Sequence, residues 1–234
     1  MRFYNKRWNE DKICGPGNLF VALAKQAVFG VVDIDALQGP SEVLIIADES
    51  ADPQFCAADL LAQAEHDQLP QVVLVTTSTR LALQVQAELK IQVENLPRQQ
   101  AASEAMESRG VIAIVDSLDE AIQLSNLYAP EHLELMIEKA EIYIEKINNA
   151  GCIFVGEMAP VSMGDYIAGP NHSLPTGGTA RFSSPLNVAD FVKFIDIVKV
   201  NKTMIKKLGP YAITIARAEG LEGHARAIEQ RLKN

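Results

Sequence analysis

The sequence predicts an α/β fold: an open, mostly parallel sheet with flanking helices, an incomplete Rossmann-like arrangement, followed by a small helical C-terminal tail. The first observation is a set of short apolar runs at residues 43–48, 72–75, 111–115 and 152–155. They are aliphatic and β-branched without alternation, as in strands buried on both faces. The second is that segments with helical periodicity lie between them, and strands alternating with helices fold as a parallel sheet.

The bulk properties narrow the function. The chain has 234 residues, 48% hydrophobic and 22% charged, with a net charge of −9. It is long enough to bury a sizeable core. Its acidic balance argues against a nucleic-acid surface. Apolar runs are too short to span a membrane, and no apolar signal-peptide core follows the basic N-terminus. Cys14, Cys56 and Cys152 are far apart in apolar settings. They read as reduced core thiols of a cytoplasmic protein, without a CxxC zinc site.

Each element has its own signal. Residues 1–11 show no periodicity and read as an arm. Gly15-Pro16-Gly17-Asn18 is a turn before a helix from Leu19 to Val31. Its backbone N–H groups could approach a phosphate, or Asn18 could simply cap the helix. Gly39-Pro40-Ser41-Glu42 is a second turn and leads into the first long strand. Asp52-Pro53 opens a helix running to about His66. Residues 78–95 are helical, and Ser117 with Glu120 is a capping pattern. Tyr128-Ala129-Pro130 ends that helix, and residues 131–135 begin a strand. Residues 138–148 read as helical. Residues 156–188, rich in Gly, Pro and Ser, form a long loop without regular structure, a length usually reserved for function. An apolar segment at 190–200 and helices over 203–218 and 221–232 complete the chain.

The chemistry-bearing candidates are the four histidines. Gln63 and His66 stand one helical turn apart and share a face. His132 follows Glu131 directly, so a carboxylate and an imidazole adjoin at a strand edge and form a candidate acid–base pair. In α/β folds, ligands gather near the carboxyl ends of strands. His172 lies in the long loop, seven residues after Asp165, and His224 interrupts the helical tail. Composition nominates His66, Asp165, His172 and His224 for a metal site, but not Gln63, a weak neutral ligand.

GPGN at 15–18, GPSEVLIIAD at 39–48, LLAQAEHD at 60–67, APEHLEL at 129–135, GDYIAGPNHSLPTGGTARFSSP at 164–185 and EGLEGH at 219–224 together resemble the histidinol dehydrogenase family. The resemblance runs from about residue 11 to the C-terminus, with the motifs in the family's order. It implies a cytoplasmic, zinc-dependent homodimer of histidine biosynthesis that oxidises L-histidinol through L-histidinal to L-histidine, reducing NAD. It further implies Gln63, His66, Asp165 and His224 as zinc ligands and Glu131 and His132 as the acid–base pair. Ser41, His172 and Glu219 would bind substrate together with Gln63, His66, His132, Asp165 and His224. Asn18 would contact NAD. Glu219 and His224 would act in trans, across the dimer.

The resemblance also implies a longer protein. The expectation is a C-terminal portion: residues 1–10 an unmatched arm, 11–40 a remnant of the NAD-binding domain, 41–186 the sheet domain with the zinc and substrate site, and 187–234 a helical dimerisation tail. A related dehydrogenase of another small polar alcohol, such as a sulfonated propanediol, is one alternative. A non-catalytic remnant that associates with full-length subunits is another.

Overall fold

The computed structural model describes residues 10–65 and 70–233. The chain divides into two compact units that meet in sequence between Phe191 and Val192.

The first unit opens with β1 (Lys12–Ile13), α1 (Leu19–Val28) and β2 (Asp33–Ile34), with β1 and β2 parallel. Asn18 is the N-cap of α1, its side-chain oxygen accepting from the amides of Phe20 and Val21. Lys25, on the inner face of α1, is 3% exposed and ion-paired to Asp35 at 2.6 Å. Its ammonium also donates to Gln38 and to the carbonyl of Gly15. Burial pushes the Asp35 carboxyl up, but Lys25 and the amides of Gly15 and Ala36 outweigh it, so the carboxyl sits below its ordinary value.

The main sheet follows. Its elements are β3 (Glu42–Ala47), α2 (Pro53–Ala64), β4 (Gln71–Thr76), α3 (Thr79–Val93), α4 (Gln99–Arg109), β5 (Gly110–Ile114), α5 (Leu118–Tyr128), β6 (His132–Met136), β7 (Cys152–Val155) and α6 (Val161–Tyr166). The five strands are parallel in the order β5-β4-β3-β6-β7. The chain builds outward from β3 to β5, then crosses back to lay β6 on the other side of β3. Side chains alternate between faces. Val43, Ile45 and Met136 pack toward α2 and α3, while Leu44, Ile46 and Leu135 pack toward α5. Every β3 residue is buried, which is why that strand reads as one unbroken apolar run.

Several expectations are refined. Asp52 caps α2 with Pro53 at its first position, and Ser117 caps α5. The carboxylate of Glu120 reaches back to the Asp116 amide at 2.9 Å, one residue beyond the usual capping box. Helix α4 was not foreseen in the sequence: it buries only Ala102 and Ala105, too small to give an apolar stripe. Residues 138–148 hold a 3-10 turn at Ala140–Lys146 instead of an α-helix. The 156–188 stretch is not structureless, for it contains α6 and a 3-10 turn at Thr179–Arg181. Cys14 is exposed, against the expectation of a core thiol, whereas Cys56 is buried. Burial pushes the Cys56 thiol up to about 12.

The second unit contains α7 (Lys202–Ala218) and α8 (Glu222–Leu232). Gly209 faces Ile228 and Leu232 so closely that a side chain there would crowd both. Arg217 bridges Glu222 at 3.1 Å and Glu229 at 2.7 Å. No helix among the described residues is long and apolar enough to cross a membrane.

Candidate active site at the amino edge of the sheet

The pairing of β3 with β6 sets Val43 opposite His132. Both strands begin here, so Ser41, Glu42, Glu131 and His132 gather at the amino ends of the strands, not the carboxyl ends where α/β ligands usually bind. The physical consequence is electrostatic. In a parallel sheet each connecting helix runs back against the strands and ends at their amino edge. The C-termini of α2 and α5 therefore face this edge, bringing partial negative charge that favours cations.

Glu42 organises the pair through its backbone. Its amide donates to Glu131 Oε2 at 3.0 Å, and its carbonyl oxygen lies 3.0 Å from His132 Nδ1. A carbonyl only accepts, so the neutral ring carries its proton on Nδ1 and Nε2 is the basic nitrogen. His132 Nε2 faces Asp165 Oδ1 at 3.9 Å, and His172 Nδ1 lies 3.0 Å from the same oxygen. The Glu42 side chain accepts from the Gly177 amide at 3.1 Å, and Thr176 accepts from the Gly39 amide. The long loop is thereby fastened to the start of β3.

Glu131 is 6% exposed. Burial, with further repulsion from Glu42 and Asp165, pushes its carboxyl up to about 8 despite the opposing hydrogen bond from the Glu42 amide. Burial also raises Glu42. A carboxylic acid titrating near neutrality beside an imidazole is suited to proton transfer. Gly151 makes room for this pair, since a Cβ there would lie 2.6 Å from the Glu131 carbonyl oxygen.

Of the sequence-nominated metal ligands, Gln63 and Asp165 line one cavity of about 360 Å³ with Asp59, Arg98, Val161 and Tyr166. Gln63 is buried, and its Nε2 has no hydrogen-bond partner among the described residues. The orphaned Nε2 is a hydrogen-bond donor and cannot hold a cation, so the fit to a cation site rests on Gln63 Oε1 and the Asp165 carboxylate lining the same cavity. His66 lies outside the described residues. His224 is exposed on α8 and Glu219 is the C-cap of α7, both in the second unit. Among the described residues, no three His, Cys, Asp or Glu groups converge to hold a metal. Ser41 is half-buried where β3 begins, its carbonyl accepting from the Gln71 amide. Sequence reasoning missed Glu42 and Glu134, which sit inside apolar strands and carry no motif signal of their own.

The class these observations define is a parallel α/β domain that holds a buried carboxylic acid–imidazole pair at the sheet's crossover point. Comparison with known proteins gives the family. The histidinol dehydrogenase family model matches residues 8–232. A histidinol dehydrogenase of Dehalococcoides mccartyi is 59% identical over 223 residues, covering 95% of this chain and 51% of that protein. One from Deinococcus radiodurans is 53% identical over 225 residues, again covering 95% and 51%. The crystal structure of histidinol dehydrogenase from Elizabethkingia anophelis matches with a TM-score of 0.88 at 46% identity, covering 95% of this chain and 52% of that one. An acetylating aldehyde dehydrogenase from Geobacillus thermoglucosidasius shares the fold alone, with a TM-score of 0.50 at 16% identity. The chain belongs to the histidinol dehydrogenase family. It spans about half the length of the curated relatives it matches.

Proposed function

We propose that this chain carries the metal- and substrate-binding part of a site that oxidises L-histidinol through L-histidinal to L-histidine with zinc and NAD. The observation that carries this reading is the amino-edge cluster itself. Glu42, Glu131 and Asp165 stand close enough to repel one another, and an acidic cluster of this kind favours a cationic amino alcohol over an anionic one.

The roles follow from the chemistry of each group. Gln63, His66 and Asp165, with His224 of a second copy, would hold zinc, which when bound supplies a positive centre that orients the substrate's amine and imidazole. NAD would supply the hydride acceptor for both oxidations, that of the alcohol and that of the hydrated aldehyde. His132 accepts the alcohol proton at Nε2, because Nδ1 is committed to the Glu42 carbonyl. Glu131, in its ionised form, accepts the proton of the water that adds to the aldehyde, and with its carboxyl held near 8 that form grows as pH rises toward 8. His172 and Ser41 orient substrate, and Glu219 joins them from the neighbouring subunit of a homodimer. Asn18 contributes to the NAD side.

The domain reading goes with this. Residues 11–40 belong to the cofactor side, 41–186 to the zinc and substrate side, and 187–234 to the dimer. The chain alone should bind zinc and L-histidinol while reducing NAD slowly or not at all. Calorimetric titration of the zinc-loaded chain with L-histidinol and with a sulfonated propanediol tests the reading. Preference for L-histidinol is expected; preference for the sulfonate, or no binding of either, would overturn it.

A further inference from the structure

Behind His132, Gln63 and Asp165, one structural repeat away, stands a second set of residues. Glu134 follows His132 by two residues on β6, so both project from the face that packs on α2. Asp59 precedes Gln63 by one turn on α2, and Val161 precedes Asp165 by one turn on α6. Glu134 is 1% exposed. Its Oε1 accepts from the Val161 amide at 2.9 Å, while its Oε2 has no partner among the described residues. The mechanism above does not use it.

Helix α6 has few other restraints, because its N-cap is Pro160 and no side chain caps it. Its second anchor is Phe154. A Cβ on Gly164 would come within 2.6 Å of that ring, whose centroid lies 6.0 Å from that of the His132 imidazole. Asp165 is the next residue.

We propose that Glu134 is a positioning residue that fixes Asp165 by gripping the first amide of α6, so that strand β6 sets both the base and the carboxylate opposite it. Its carboxyl is buried and raised well above its ordinary value, first by burial and then by Asp59, itself held up to about 6. Oε1 acts only as an acceptor toward the Val161 amide, and the amide oxygen of a glutamine can do the same, so glutamine is a faithful substitute. The part of this inference that concerns metal affinity rests on the reading of Asp165 as a ligand.

The test uses the full chain and two readouts, amide hydrogen exchange across residues 161–166 and Co²⁺ affinity. Glu134→Leu should speed exchange in α6 by about tenfold or more, with Val43–Ala47 unchanged, and weaken Co²⁺ by about tenfold. Glu134→Gln should restore both to within about threefold. Val161→Pro removes the gripped N–H at a helix position that tolerates proline, and should weaken Co²⁺ equally even if the leucine variant fails to fold. Wild-type affinity in Val161→Pro, or wild-type exchange in a folded Glu134→Leu, would overturn the proposal. Absence of Co²⁺ binding in every form would sink the metal reading, while the exchange result would still decide the role of Glu134.

Discussion

The carbonyl oxygen of Glu42 lies 3.0 Å from Nδ1 of His132, while the amide of the same residue holds Glu131 Oε2 at the same distance. One residue thus fixes both members of the acid–base pair, and it does so with main-chain atoms that no substitution other than proline removes. The tautomer of His132 follows. Nitrogen-detected NMR of the neutral protein should find the ring proton on Nδ1. His132→Asn, whose amide can still donate to that carbonyl, should retain more stability than His132→Leu, by about 1 kcal/mol.

Glu131 makes stability depend on pH in a defined direction. Its folded value of about 8 lies above its ordinary value of 4.5, so the folded state binds the proton more tightly. The stabilisation from Glu131 is complete below about pH 4.5 and is lost as pH rises through about 8. Glu131→Gln should therefore be more stable than wild type at pH 8.5, by up to a few kcal/mol. The two should converge at pH 4.5. Urea midpoints across that range check the sign.

Gly151→Ala should disturb the site without altering any of its side chains. The added methyl would meet the Glu131 carbonyl and the Pro175 ring, and overpacking of this kind costs about 1–3 kcal/mol. The measurable signature is a lower unfolding midpoint with a weakened L-histidinol affinity in the same variant.

Lys25→Met tests the N-terminal segment. It leaves the Asp35 carboxylate, 2% exposed in its side chain, without its cation, and breaking a buried pair costs about 3–5 kcal/mol. Faster hydrogen exchange should be confined to α1 and its flanking turns, with the main sheet unaffected.

The sequence made the sheet legible where burial is two-sided. Strands β3 and β4 are runs of aliphatic residues because both of their faces are covered. Helix α4 escaped because Ala102 and Ala105 suffice to pack it. In the site, Glu131 and His132 stood out by adjacency, and Asp165 and His172 by their place in a Gly/Pro-rich loop. Their meeting at 3.0 Å required the loop to be fastened by Gly177 and Thr176, which is long-range information. The choice of sheet edge was not legible, since a motif at a strand end does not say which end. That follows from the register of β3 on β6. Glu42 and Glu134 looked like strand residues because their work is done by position.

The central claim is that this amino-edge cluster binds a divalent cation and a cationic amino alcohol together. The most direct measurement is calorimetric titration of L-histidinol into the full chain with zinc, without zinc, and with zinc in Asp165→Asn. Affinity should fall at least tenfold on removing the metal and comparably in the variant. Equal affinity in all three would show that L-histidinol binds elsewhere and would contradict the account.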